Sequence, residues 1–219
     1  MTMLEGISSD GLTVRVGHRR NPYAYLFDGD QFDELLLRLG RRRADSIWRH
    51  HRSGEDRAPH GRYGRPCMAF VVMDATAGAW VPDTEAVLAA ITIGTDGERF
   101  LPNAAGKACG HRRLGANYGE AVLVDSHRCH SGGFRYGHSA EIRGQIVGAS
   151  SQTTDQDLYE AGHLAADLVA AVNHAQVEWK ERAGPGEWFN DGDVPGEECL
   201  AAVSWFNPTV SATAGTAQG

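Results

Sequence analysis

The chain has 219 residues, of which 42% are apolar and 22% charged, with 21 Lys and Arg against 28 Asp and Glu, for a net charge of -7. That length and balance fit one ordinary soluble domain with appendages, and the negative charge argues against a general nucleic-acid role. No stretch reaches the roughly 20 apolar residues that a bilayer span needs, and the start lacks the charged-then-apolar pattern of a signal peptide, so the expected setting is cytoplasmic, with no membrane partner.

Residues 1–29 read as a lead-in extension, with a short strand at Leu12–Val16 and a turn at Asp28-Gly29-Asp30. From Asp30, a candidate N-cap, a helix is expected to about Arg52, because Phe32, Leu35, Leu36, Leu39 and Ile47 recur near 3.6-residue spacing. The basic run Arg41-Arg42-Arg43, with Arg49 to Arg52 after it, reads as a solvated helix face, His50 and His51 included. Ser53–Pro66 is polar and rich in Gly, Pro and Arg, which marks a loop.

Two apolar runs, Cys67–Met73 and Ala86–Ile93, read as neighbouring strands closed by a turn at Asp96-Gly97. Pro102–Leu114 reads as an Ala-rich helix stopped by Gly115. Ala121–Val124 fits a short strand or helical segment. Ala140–Ile142 and Gln145–Ala149 fit a strand pair around Arg143-Gly144. A long helix capped by Thr154 or Asp155 should then run to about Glu181, with an apolar stripe of Leu158, Ala161, Ala165, Leu168, Val169 and Val172. Residues 183–219 form a carboxyl-terminal extension: an acidic Gly/Pro-rich loop, an apolar run at Cys199–Phe206 and about a dozen small, polar residues expected to be disordered. The order predicts an α+β fold, one antiparallel sheet flanked by helices, spanning 30–182. The four cysteines (Cys67, Cys109, Cys129, Cys199) form no CxxC pair, which favours reduced thiols over a structural zinc site.

The densest chemistry lies at 126–138, where His127, Arg128, Cys129, His130, Arg135, Tyr136 and His138 surround Gly132-Gly133. Imidazoles bind haem iron or divalent metal and move protons near neutral pH. Three chemistries fit. In the first, His127, His130 or His138 ligates haem iron while Arg128, Arg135 or Arg112 pairs with propionates. In the second, His127 and His130 act as acid and base on a small anionic metabolite, with Asp125 orienting one of them and Lys107 or Arg135 holding a carboxylate; Cys129 is a candidate nucleophile. In the third, His127, His130 and His138 bind a divalent metal. Against these stands a plain polar loop or an oligomer contact.

Elsewhere the structural alternatives weigh more. Lys107 on an Ala-rich helix reads as solvent-facing, His111 as a helix-end charge, His163 and His174 as exposed, and Asp74 and Asp96 as turn formers. No phosphate-binding Gly motif is present.

Several motifs in order carry a resemblance: Val71-Val72-Met73-Asp74, Thr95-Asp96-Gly97, Ala104-Ala105-Gly106-Lys107-Ala108, Gly132-Gly133-Phe134, Gly144-Gln145-Ile146-Val147-Gly148-Ala149 and Asp157. Over residues 30–175 the chain resembles the haem-binding GlcG/HbpS/PduO-C-terminal family, of roadblock/profilin-like α+β fold. It departs from that pattern at Gly94 and at Ala149-Ser150-Ser151-Gln152. The resemblance implies a GlcG/HbpS-like, profilin-like sandwich, a homo-oligomer, and binding of haem or a similar small carboxylated ligand, with redox or degradative chemistry as an extension. The alternatives are a cofactor-independent lyase, isomerase or hydrolase, and a non-catalytic oligomeric interaction module.

Overall fold

The computed structural model describes residues 3–53, 60–128, 137–183 and 201–205. The chain divides into two compact units, residues 1–176 and 177–219. The first holds a six-stranded, wholly antiparallel sheet in the order β1-β2-β4-β3-β6-β5. The strands are β1 (Leu4–Ile7), β2 (Thr13–His18), β3 (Met68–Met73), β4 (Val87–Ile93), β5 (Ala140–Ile142) and β6 (Gln145–Ser150). The lead-in of the sequence therefore supplies two strands rather than an appendage.

β3 is buried at every position, because helices cover both faces of the sheet. A strand covered on both sides needs no polar alternation, which is why its sequence is an unbroken apolar run. Phe70 and Val72 face the larger core with Leu35, Leu36, Leu39 and Ile47 of helix α1 (Gly29–Arg52) and Leu164 and Leu168 of helix α5 (Thr154–Ala183). Ala69, Val71 and Met73 face the other way, against Ala104 and Ala108 of helix α3 (Leu101–Leu114).

This second layer is built from small residues. At Gly148 on β6, a Cβ would lie 2.1 Å from the Ala104 carbonyl oxygen and 2.9 Å from the Ala108 nitrogen. Only a residue without Cβ lets α3 settle this close to the sheet.

The caps refine the expected boundaries. Asp28, not Asp30, caps α1: its carboxylate accepts from Gln31 N while the Gln31 side chain accepts from Asp28 N, a reciprocal capping box. Asp30 lies in the first turn. Gly115 ends α3 in the left-handed conformation, with φ 65°. A four-residue helix α2 (Asp83–Ala86) precedes β4, and Tyr118–Val124 is helical (α4). Arg143 and Gly144, with φ of 53° and 83°, make the tight turn between β5 and β6.

The buried face of α5 keeps Ala161, Ala165 and Leu168 of the expected stripe but not the rest of it. Gln156, Asp157 and Glu160 are buried with Ala161, Leu164, Ala165 and Leu168, whereas Leu158, Val169 and Val172 are only half-buried. Two carboxylates thus occupy the first turns of the face that packs on the sheet. Among the described residues, no helix is long and apolar enough to cross a membrane. Of the run Cys199–Phe206, residues 201–205 are described, the first three of them helical, and the last dozen residues fall outside the described residues.

Candidate functional site

Lys107 is not solvent-facing. It is 2% exposed, because it shares the sheet-facing side of α3 with Ala104, Ala108 and His111. Its stem crosses toward the β6–α5 junction, where Nζ donates to the Ala149 carbonyl at 2.7 Å and to Asp157 Oδ2 at 2.7 Å. An ammonium has three donors, so one remains for another partner.

Asp157 Oδ1 accepts from the main-chain N–H groups of Ser151 (3.2 Å) and Gln152 (3.0 Å). Burial pushes the Asp157 carboxyl above its ordinary value, and the Lys107 ammonium and the two N–H groups pull only part of the way back. The pair lines a cleft of about 400 Å³, within the size range of small-molecule sites.

The rest of the cleft comes from three segments. Phe100 and Asn103 lie on the Lys107 side, and Ser150 to Thr154 form the β6–α5 junction. Arg65 comes from the loop before β3. Its main chain is held by the Gln152 amide, which accepts from Gly64 N (3.0 Å) and Arg65 N (3.3 Å) and donates to Arg65 O (2.8 Å). Arg65 Nη1 donates to the Ser151 carbonyl at 2.9 Å, and the guanidinium carbon lies 5.7 Å from the centre of the Phe100 ring, within cation–π range. Lys107 and Asp157 neutralise each other, so Arg65 is the surplus charge among the described residues of the cleft. Asn103 and Ser150 make no side-chain hydrogen bond within the described residues.

Of the histidine-rich segment, the described residues His127, Arg128 and His138 do not line this cleft. His127 is exposed in a 3₁₀ turn (Ser126–Arg128). Asp125 caps α4, 3.9 Å from Arg128 Nη1, and Arg128 Nη2 donates to the Leu114 carbonyl. His138 is half-buried, its ring laid on the backbone of Gly119, where a Cβ would lie 2.0 Å from Cε1. His130, Arg135, Cys129 and the Gly132-Gly133 element lie outside the described residues.

Arg112 does not join Lys107. Its Nη1 donates to Asp83 at 2.8 Å and its Nη2 to the Gly78 carbonyl at 2.6 Å, beside the exposed Trp80. Among the described residues, no group of three or more His, Cys, Asp or Glu side chains is placed to hold a metal ion. Cys67 and Cys109 are free thiols, both raised above the ordinary value by burial.

Two other expectations change, and a third holds with an addition. His111 is buried rather than a helix-end charge; its Nδ1 shares a 2.8 Å hydrogen bond with Ser139 Oγ, and burial lowers its pKa. His50 is buried too, stacked on Tyr63 at 4.6 Å and bonded through Nδ1 to the Ser46 carbonyl at 2.9 Å. Asp74 does form a turn, accepting from Thr76 N (2.8 Å) and Thr76 Oγ1 (2.6 Å), yet it is 2% exposed and Arg20 Nε sits 3.2 Å from its other oxygen. His163 and His174 are exposed, as expected.

Sequence reasoning missed a second buried polar centre. Glu160, wholly buried, accepts from Ser46 Oγ (2.7 Å), Tyr63 OH (2.9 Å) and Arg43 Nη1 (3.3 Å). The Tyr63 phenol is pushed far up, first by burial and then by the Glu160 charge. A readable signal existed: Asp157 and Glu160 precede Ala161, Leu164, Ala165 and Leu168 at helical spacing, so both carboxylates continue the apolar face. Nothing in the sequence marked Arg65 or Phe100. Comparison of the chain with protein-family models, with curated proteins and with solved structures gives no match.

Proposed function

We propose that this protein binds a small carboxylate ligand in the cleft between α3, the β6–α5 junction and the Arg65 loop. One observation carries this reading: a cleft of about 400 Å³ holds a buried, internally neutralised Lys107–Asp157 pair together with the uncompensated guanidinium of Arg65. A small anion replaces water there against a pre-positioned fork of N–H donors, which suits a carboxylate better than a point charge does. Asp157 holds the Lys107 ammonium in place, and that ammonium offers its third proton to the ligand. Asn103 and Ser150 supply further polar contacts.

Among the described residues, the cleft lining contains no imidazole, thiolate or thioether to ligate haem iron. The candidate haem ligands remain His127, His130 and His138 of the 126–138 segment.

Calorimetric titration with acetate, pyruvate and benzoate tests the proposal. The expected result is saturable binding that weakens about tenfold in Arg65→Ala, the loss typical of one charge-assisted contact. Absence of binding for every carboxylate overturns it. A haem titration followed by absorption runs beside it. A Soret change abolished by His127→Ala, His130→Ala or His138→Ala but kept in Arg65→Ala assigns haem to the other segment.

A further inference from the structure

Phe100, Asn103 and Lys107 stand at i, i+3 and i+7, one stripe along α3 and the residue before it, and all three line the cleft. At 1.5 Å per residue, Phe100 and Lys107 are separated by about 10 Å along the helix axis. The two ends of this stripe differ in charge. At the Lys107 end the ammonium is cancelled by Asp157 at 2.7 Å. At the Phe100 end two guanidiniums gather on one ring: Arg65 at 5.7 Å and Arg99 at 4.7 Å from its centre.

Arg99 is free to act. Among the described residues its one carboxylate partner, Asp96, lies at 4.0 Å, the outer limit of an ion pair, and both side chains are more than half exposed, so that pairing contributes little. A second cleft of about 370 Å³ adjoins the first; it includes Arg65, Arg99 and Asp96 in its wall, and Arg65 lines both. Counting Lys107, Arg65 and Arg99 against Asp157 and Asp96 leaves one positive charge over the whole, located at the Phe100 end.

We infer that the ligand is an elongated monoanion bound in one direction, its carboxylate at the Arg65–Phe100–Arg99 end and a neutral acceptor oxygen, a carbonyl or hydroxyl, at Lys107. This rests on the carboxylate-binding reading above and adds polarity, length and Arg99 to it. A second anionic group at Lys107 finds its charge already taken by Asp157, whereas a neutral oxygen needs only the remaining proton. Asn103, midway along the stripe, contacts the connecting chain. Arg99 is thereby a specificity-determining residue for the anionic end.

Calorimetric titration of the full chain with pyruvate, levulinate, 5-oxohexanoate and 6-oxoheptanoate moves the carbonyl stepwise away from the carboxylate. Heptanoate lacks the distal oxygen, and hexan-2-one lacks the charge. Affinity is expected to rise at least about tenfold along the series, with 6-oxoheptanoate above heptanoate. Arg99→Ala, at an exposed side chain, should weaken every acid about tenfold and leave hexan-2-one unchanged. Equal affinity for pyruvate and 6-oxoheptanoate, or full affinity of Arg99→Ala for the acids, overturns the inference. If the acids bind and depend on Arg65 but show neither effect, carboxylate binding stands and the directional inference falls. If no acid binds, both fall.

Discussion

Replacing Lys107 by Met keeps most of the stem and removes the ammonium, leaving Asp157, with a side chain 5% exposed, as a buried carboxylate without its counter-ion. Breaking a buried pair from one side costs about 3–5 kcal/mol. At about 2–4 °C per kcal/mol for a chain of this size, the melting temperature should fall by roughly 6–20 °C at pH 7. The loss must also depend on pH. Asp157 already sits above the ordinary carboxyl value, and Lys107 is the first influence holding it down. Without Lys107 the folded-state pKa rises further above the unfolded value of about 3.9. The folded state then binds the proton more tightly than the unfolded one, so the deficit is smallest at acid pH and grows as pH rises through the folded value. Thermal unfolding followed by circular dichroism at pH 5, 6, 7 and 8 reads this directly. The paired variant Lys107→Met/Asp157→Asn removes the stranded charge, and should recover at least half the loss and flatten its pH dependence. A Lys107→Met protein within about 1 kcal/mol of the parent at pH 7, or one equally impaired at every pH, would refute the reasoning.

Gly148→Ala places a Cβ 2.1 Å from the Ala104 carbonyl oxygen, so α3 must lift from the sheet. The expected cost is about 1–3 kcal/mol in a urea titration, with weaker carboxylate binding because Asn103 and Lys107 move with the helix. His111 has its pKa lowered by burial, so the unfolded chain takes up its proton first. The stability His111 contributes is present above about pH 6.5 and lost as pH falls below it; His111→Gln should flatten that part of the curve of urea midpoint against pH, and an unchanged slope counts against it. Glu160→Gln leaves Arg43 facing a neutral amide in a buried site, and should cost about 2 kcal/mol by thermal melting.

What the sequence disclosed follows from what periodicity can encode. β3 and β6, α1 and α3 were legible because apolar spacing and stop signals such as Gly115 are local properties. The first strand and the cap at Asp28 were not, since Leu4–Ile7 has too few apolar residues to stand out and Asp28, Gly29 and Asp30 all suit a helix start. Lys107 shows the larger difficulty. On an Ala-rich helix its charge argues for exposure, and only the bare backbone of Gly148 and the presence of Asp157, 50 residues later, permit its burial. The histidine-rich segment drew notice through composition, a property that does not report which side chains meet. Arg65 and Phe100 converge through the tertiary arrangement of a loop and a helix start, which no spacing rule records.

The Gln152 amide, which bonds Gly64 and Arg65 as a neighbouring strand would, also fixes how the cleft can open. The Arg65 guanidinium also ties the loop to the junction through the Ser151 carbonyl, but the Gln152 amide alone holds two main-chain N–H groups, so parting the wall bearing Arg65 from the wall bearing Asp157 releases the Gly64 and Arg65 amide protons together. Those two protons are therefore built-in reporters of opening: their exchange with solvent should slow in step when the cleft is occupied.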